Sequence, residues 1–442
     1  MRDPSTGLQR ESSTIFGSRV SIVAFVIFII GTVIYGFSTA TTGWEDIRES
    51  SSARDFASYF YALEAALGGD SPYDTELLGD LARIDGTRGS VYPYFYPPPY
   101  LISMSWAAPH NLATSYAIFF WLGTICFATI LLGLWRWHPS PALVSIAGVV
   151  MATYSPIANS HRMGQANLLM LAFLVWGLLL AEREEKRSVV LGGLLVGYAC
   201  MMKMSPAIFV LWWMVRKKKL AVMAAIFMAI ASSLATLPLV GIEHQIEFYL
   251  EVLPGFAGGD YHDLTVPLNI PANHSWGNLW MQITSGFGGL PRTSPPTQLA
   301  SNLAMFSSLA ALSALLFRFR SKSQEPVTLM CSAGALMSFM VLFPAYTYEH
   351  HLVYMLLPIG AVVAAAHAGR LNMAWIALFF VSYVFLAWPL PGFKETANNL
   401  GSDWGLSAKI IMLESKSIAV VAMGVLCFVG AVSTSKTNPD TP

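Results

Sequence analysis

Over residues 20–40 the chain carries no charged side chain, and as an α-helix a run of that length reaches across the ~30 Å hydrocarbon core of a bilayer. It is longer than the roughly 7–15-residue core of a removable signal, so it reads as a first membrane helix whose N-terminal tail is retained. Comparable apolar windows recur near 112–135, 140–156, 166–181, 189–202, 205–215, 220–240, 299–317, 327–345, 352–367, 373–390 and 416–433. Read as spans, they make about twelve crossings. Inside hydrocarbon each backbone N–H and C=O needs a partner within its own segment. The pattern therefore predicts an all-α fold, a polytopic bundle of transmembrane helices forming a single integral membrane domain over residues 1–442. The sequence Lys203-Met204-Ser205-Pro206 interrupts 189–215 and predicts two passes there rather than one tilted helix.

Composition narrows the function classes. Hydrophobic residues make up 55% and charged residues 12% of the chain, against about 25% charged in soluble domains. The formal net charge is zero, which leaves no electrostatic footprint for nucleic acid. Cys126, Cys200, Cys331 and Cys427 lie in apolar windows without metal-ligand spacing and read as packing residues.

Charge placement sets orientation. Counting basic residues near helix ends puts Arg136, Arg183/Lys186/Arg187, 216–219, Arg318/Arg320/Lys322 and Arg370 on the cytoplasmic side, together with both termini. Acids concentrate on the other side, among them Glu45, Asp46, Glu49, Asp55, Asp70, Asp74, Glu76, Asp80 and Asp85. That outer side receives two long segments, 41–111 and 241–298, which are expected to cap the helices. A simple channel needs neither.

The first of these segments contains Arg54-Asp55-Phe56-Ala57-Ser58-Tyr59 and closes on Tyr92-Pro93-Tyr94-Phe95-Tyr96-Pro97-Pro98-Pro99-Tyr100, where prolines exclude a helix interior and aromatics supply an amphipathic wall. Asp55 follows the first span by about fifteen residues, which lets it lie at headgroup depth, where a lipid-linked reactant presents its head. It is the candidate for the chemistry. The alternative is a helix cap, or an ion pair with Arg54.

Three polar junctions share that side. Arg162, Gln165 and Asn167 precede the apolar run from Leu168, so an arginine, two amides and a helix N-terminus converge where an anion is favoured; capping and snorkelling are the structural alternative. Lys203 sits between apolar arms, where an amine calls for an anion, either a protein carboxylate or a ligand phosphate. Glu349, His350 and His351 mark a third junction. Adjacent histidines point to different helix faces, so they read as polar pocket wall rather than a chelating pair. In the second long segment Asp260, Tyr261, His262 and Asp263 precede Asn273, His274 and Trp276, and such amides and rings suit sugar hydroxyls and C–H faces, or else serve turns.

Taken together, Asp55-Phe56 with Tyr59, Gly69-Asp70-Ser71-Pro72-Tyr73, Tyr96-Pro97-Pro98, Gly164-Gln165-Ala166-Asn167, Lys203-Met204-Ser205-Pro206 and the polar run leading to Pro358 resemble the GT-C glycosyltransferases of family 87, which include polyprenol-phosphate-mannose-dependent mannosyltransferases. The resemblance covers most of residues 15–390. It implies a GT-C type fold with large outer-face loops in a bacterial plasma membrane, a polyprenyl-phosphate sugar donor, a lipid or glycan acceptor, a periplasmic site and an aspartate base, here Asp55. On this reading Arg162, Gln165, Lys203, His350 and His351 bind the donor phosphate, and Tyr59, Asn167, Asn273, His274, Trp276 and Glu349 bind substrate. Many GT-C enzymes carry paired acids in the first outer loop, whereas Asp55 stands between Arg54 and Phe56, so neither a catalytic metal nor a cofactor is expected. A carrier or flippase of lipid-linked sugars is the competing class; inverted repeats and midplane charges would favour it.

Overall fold

Side-chain caps start many of the helices. Asn111 accepts from the Thr114 N–H at 2.9 Å, Glu325 from the N–H groups of Val327 and Thr328, and Asn372 from the Trp375 N–H at 3.1 Å. The computed structural model describes residues 19–48, 54–87, 90–258, 260–261, 264–265, 272–285, 297–321, 323, 325–388 and 414–433. These form α1 (Arg19–Arg48), α2 (Arg54–Gly68), α3 (Thr75–Ile84), α4 (Pro99–Met104), α5 (Leu112–Trp137), α6 (Pro141–Thr153), α7 (Ser155–Met163), α8 (Asn167–Ala181) and α9 (Lys186–Met202). Then follow α10 (Ala207–Val215), α11 (Lys219–Glu247), α12 (Leu253–Gly258), α13 (Trp276–Ser285), α14 (Gln298–Arg318), α15 (Pro326–Leu342), a 3₁₀ turn (Glu349–Met355) running into α16 (Leu356–His367), α17 (Met373–Ala387) and α18 (Ser415–Val432). Apart from a two-residue ladder pairing Asp260 with Thr265, the described residues are helix and connection.

Six of these helices are long and apolar enough to cross a membrane, or seven if the bent pair α6–α7 is one span. The twelve windows do form helices, but several are too short to span alone: α10 has 9 residues and α8 has 15, about 14 and 22 Å of helix. The 140–156 window ends early because Pro156 restarts the chain as α7, bent by 55° from α6. Residues 158–163, at the polar junction before the apolar run from Leu168, are therefore helix.

Tight crossings fix the helices against one another. A methyl on Gly31 of α1 would collide with the backbone of Gly148 on α6, and one on Gly148 with the backbone of Ile27, so small residues let these backbones approach. Among the helices, α8 packs on α5 and α9, α9 on α11, and α15 on α16 and α18.

The two ends of α8 divide the molecule by chemistry. At its C-terminal end buried Arg216 bonds Glu182 through two nitrogens, Lys218 Nζ reaches Glu182 at 2.6 Å, and Arg216 also donates to the carbonyls of Ser321 and Ser323. Three of the connectors predicted to share one side, at 182–187, 216–219 and 318–323, meet there. At its N-terminal end Asn167 meets Lys203. Between Lys203 and Arg216 the chain thus travels the ~22 Å length of α8, which makes the break at Lys203 a reversal, as the proline predicts.

Candidate active site

Lys203 caps the C-terminus of α9 in extended backbone, and its amine is the centre of a polar cluster. Nζ lies 2.6 Å from Asn167 Oδ1, 3.2 Å from His351 Nε2 and 5.2 Å from the centroid of the Tyr96 ring. Asn167 starts α8, yet its side chain does not cap that helix. Its Oδ1 also accepts from the Tyr354 hydroxyl at 2.6 Å, and its Nδ2 donates to the His350 carbonyl at 2.9 Å. The first-turn N–H groups of α8 are left without a side-chain cap, as an anion site at a helix N-terminus requires.

A second chain of hydroxyls joins α2 to the same place. Tyr59 donates to the Tyr96 hydroxyl at 2.6 Å, which donates to Gln165 Oε1 at 2.8 Å. Burial, with the neighbouring phenols and Asp55, raises Tyr59 well above the usual tyrosine range, so it stays a neutral donor. Asp55 lies one turn before Tyr59 on the same face of α2. Its charge acts on Tyr59, Tyr96, Tyr348 and Lys203. Burial pushes the Lys203 ammonium down to about 7, and Asp55 opposes that shift. In the first turn of α2 an acid also suits the helix dipole.

The turn between α7 and α8 is shaped to admit α2. Gly164 has φ +67°, and a Cβ there would collide with Cβ of Phe56. Only glycine meets both conditions comfortably. The Arg162 side chain, two residues earlier, is exposed.

Structure thus brings together Asp55, Tyr59, Gln165, Asn167, Lys203 and the His350–His351 turn. The two histidine rings were expected on different faces; in the 3₁₀ turn they touch, centroids 4.4 Å apart. The other expected residues serve a neighbouring, more structural network. Glu349, 4% exposed, accepts from Lys416 Nζ at 2.6 and 2.7 Å and from Ser155 Oγ at 2.9 Å. Asn273 holds the Ala345 carbonyl and the Thr347 N–H, and Trp276 donates to Ser307 Oγ at 2.7 Å. His274 is 2% exposed with Nε2 4.0 Å from Glu349, and burial with Lys416 nearby pushes it down to about 3. His262, Asp263 and residues 266–271 lie outside the described residues. Sequence reasoning missed Tyr354 and Lys416. Tyr354 falls three residues after His351, the spacing a 3₁₀ turn brings onto one face; Lys416 reads from sequence only as a flank of the last apolar window.

The model of the family described as glycosyltransferase family 87 matches residues 94–344, more than half of the chain. The chain belongs to glycosyltransferase family 87. No curated protein and no solved structure matches it. This family 87 member is therefore a glycosyltransferase with several membrane-spanning helices, and that answers the carrier alternative. The matched region holds Tyr96, Arg162, Gln165, Asn167 and Lys203 but stops short of Asp55 and the histidines. His350 and His351 join the site through their bonds to Asn167 and Lys203, and Asp55 through its charge.

Proposed function

We propose that this family 87 glycosyltransferase moves a hexose, mannose for preference, from a polyprenyl-phosphate-sugar donor to a lipid or glycan acceptor, with inversion at the anomeric carbon. The observation that carries this reading is the buried Lys203 amine, held by Asn167 and His351 at the N-terminus of α8 and within the influence of the Asp55 charge. In a single displacement the acceptor hydroxyl gives its proton to Asp55 while its oxygen bonds the anomeric carbon. The bond from that carbon to the phosphate oxygen breaks, and the electron pair stays on the phosphate. Lys203, His351, Gln165 and the open N-terminus of α8 stabilise the charge that develops there, with Arg162 closing from the adjoining turn. No second carboxylate is required, because a phosphate held by cations leaves well.

The basic end of α8 is assigned to the cytoplasm with both termini, and the Asp55–Lys203 end to the periplasmic face of a bacterial plasma membrane. Enzyme reconstituted in liposomes and offered synthetic polyprenyl-phosphate hexoses or nucleotide sugars tests the donor. Transfer from the polyprenyl phosphates alone, with inverted configuration by NMR of the product, is expected. Use of nucleotide sugars, or retained configuration, would overturn the reading.

A further inference from the structure

The donors and acceptors around Lys203 can be counted. The Tyr348 N–H points at His351 Nδ1, 3.0 Å away, so Nδ1 presents its lone pair and the ring proton sits on Nε2. That nitrogen lies 3.2 Å from Lys203 Nζ. A charged lysine has three donors and no acceptor, so an ammonium would set N–H against N–H. A neutral amine accepts from His351 Nε2–H and still donates to Asn167 Oδ1 at 2.6 Å. Asn167 cannot turn its amide over to change this, because Nδ2 is held by the His350 carbonyl and Oδ1 by the Tyr354 hydroxyl. Only one assignment of protons satisfies the whole chain.

We propose that the donor-free enzyme holds Lys203 as a neutral amine, and that the site takes up one proton on Lys203 when the donor phosphodiester binds. This rests on Lys203 being the phosphate ligand of the preceding section. The groups facing the amine are Asp55 from α2, the Tyr96 ring, Asn167 from α8 and the imidazoles of His350 and His351. Burial opposes the charged form and outweighs Asp55, which favours it together with the Tyr96 ring face and the Asn167 oxygen, and the amine sits near 7 as a result. A phosphodiester adds a second negative charge to that of Asp55, so the bound site keeps the proton. Below about pH 7 the empty site is already protonated, and binding takes up nothing. Above it, each bound donor draws a proton from solvent, so affinity falls by up to about tenfold per pH unit.

Calorimetry with a short-chain isoprenyl phosphohexose diester, whose own phosphate does not titrate here, measures this directly. At pH 8 the binding heat should differ between Tris and HEPES by about 0.9 proton's worth of buffer ionisation, falling towards zero at pH 6. Lys203→Arg, always charged, should bind without uptake. Heat independent of buffer at pH 8, with binding that Lys203→Met abolishes, would overturn this inference and leave the phosphate site standing. Undiminished uptake in Lys203→Arg would likewise overturn it. Failure of the diester to bind, or equal binding by Lys203→Met, would overturn the phosphate reading and this inference with it.

Discussion

Asn167→Asp changes one atom at the centre of the site and separates binding from folding. The new oxygen replaces Nδ2, which donates to the His350 carbonyl at 2.9 Å. Losing that bond and facing two acceptors together costs about 1–3 kcal/mol. The added charge lies beside Lys203 Nζ, 2.6 Å from Oδ1, and turns that contact into a charge-assisted bond, worth roughly 1.5–3 kcal/mol. The two changes largely offset, and the variant should fold with stability close to the parent's. Donor binding has no such compensation, because the ammonium that would meet the phosphate is already neutralised. Loss of one charge-assisted contact, roughly 1.5–3 kcal/mol, raises Kd about 10- to 150-fold. Direct titration of the purified protein with the phosphodiester donor, beside denaturant unfolding in the same micelles, measures both quantities. A Kd within threefold of the parent's in a stable variant would refute Lys203 as the phosphate ligand.

Gly164→Ala must hold an L-residue at φ +67° against Phe56, and should destabilise the protein by about 2–5 kcal/mol from the left-handed backbone and overpacking together; unfolding curves that superimpose on the parent's would contradict the contact. Glu414, bonded to Asn278 and Ser417, is pushed by burial from 4.5 up to about 8. The folded state therefore prefers its protonated form. That stability is fully present below about pH 4.5 and is lost as pH rises through 8. Glu414→Gln should flatten the fall measured between pH 5 and 8, and an unchanged slope would contradict the assignment. Impermeant thiol labelling of single cysteines in intact cells should modify positions in 70–90 and spare 183–187 and 216–219; labelling at 216–219 would reverse the orientation.

Local signals were readable wherever one residue type answers one physical demand. Lys203 beside Pro206 announced a reversal with an amine that needs a partner, and the basic connectors announced the end that Glu182 and Arg216 now join. The number of spans was not readable in the same way. Helices such as α10 are too short to cross alone, and a hydropathy window does not register where a helix ends. Glu349 and Asn273 have the right chemistry for sugar, yet the fold directs them to Lys416 and to the backbone at 345–347. Choosing between a ligand and an internal partner depends on segments far apart in sequence. Lys416 lies 67 positions beyond its carboxylate, and nothing local announces the pair.

The central claim is that Asp55 removes the acceptor proton, and Asp55→Asn tests it most directly. Asparagine keeps the shape, still suits the first turn of α2 and leaves the Tyr59–Tyr96–Gln165 chain intact, but it cannot take a proton. At saturating donor the variant's transfer rate should fall roughly 10²–10⁴-fold, whatever change in donor affinity follows from removing the charge that favours the Lys203 ammonium. Saturated turnover within a few-fold of the parent's, at equal expression, would contradict the account and return Asp55 to a structural role.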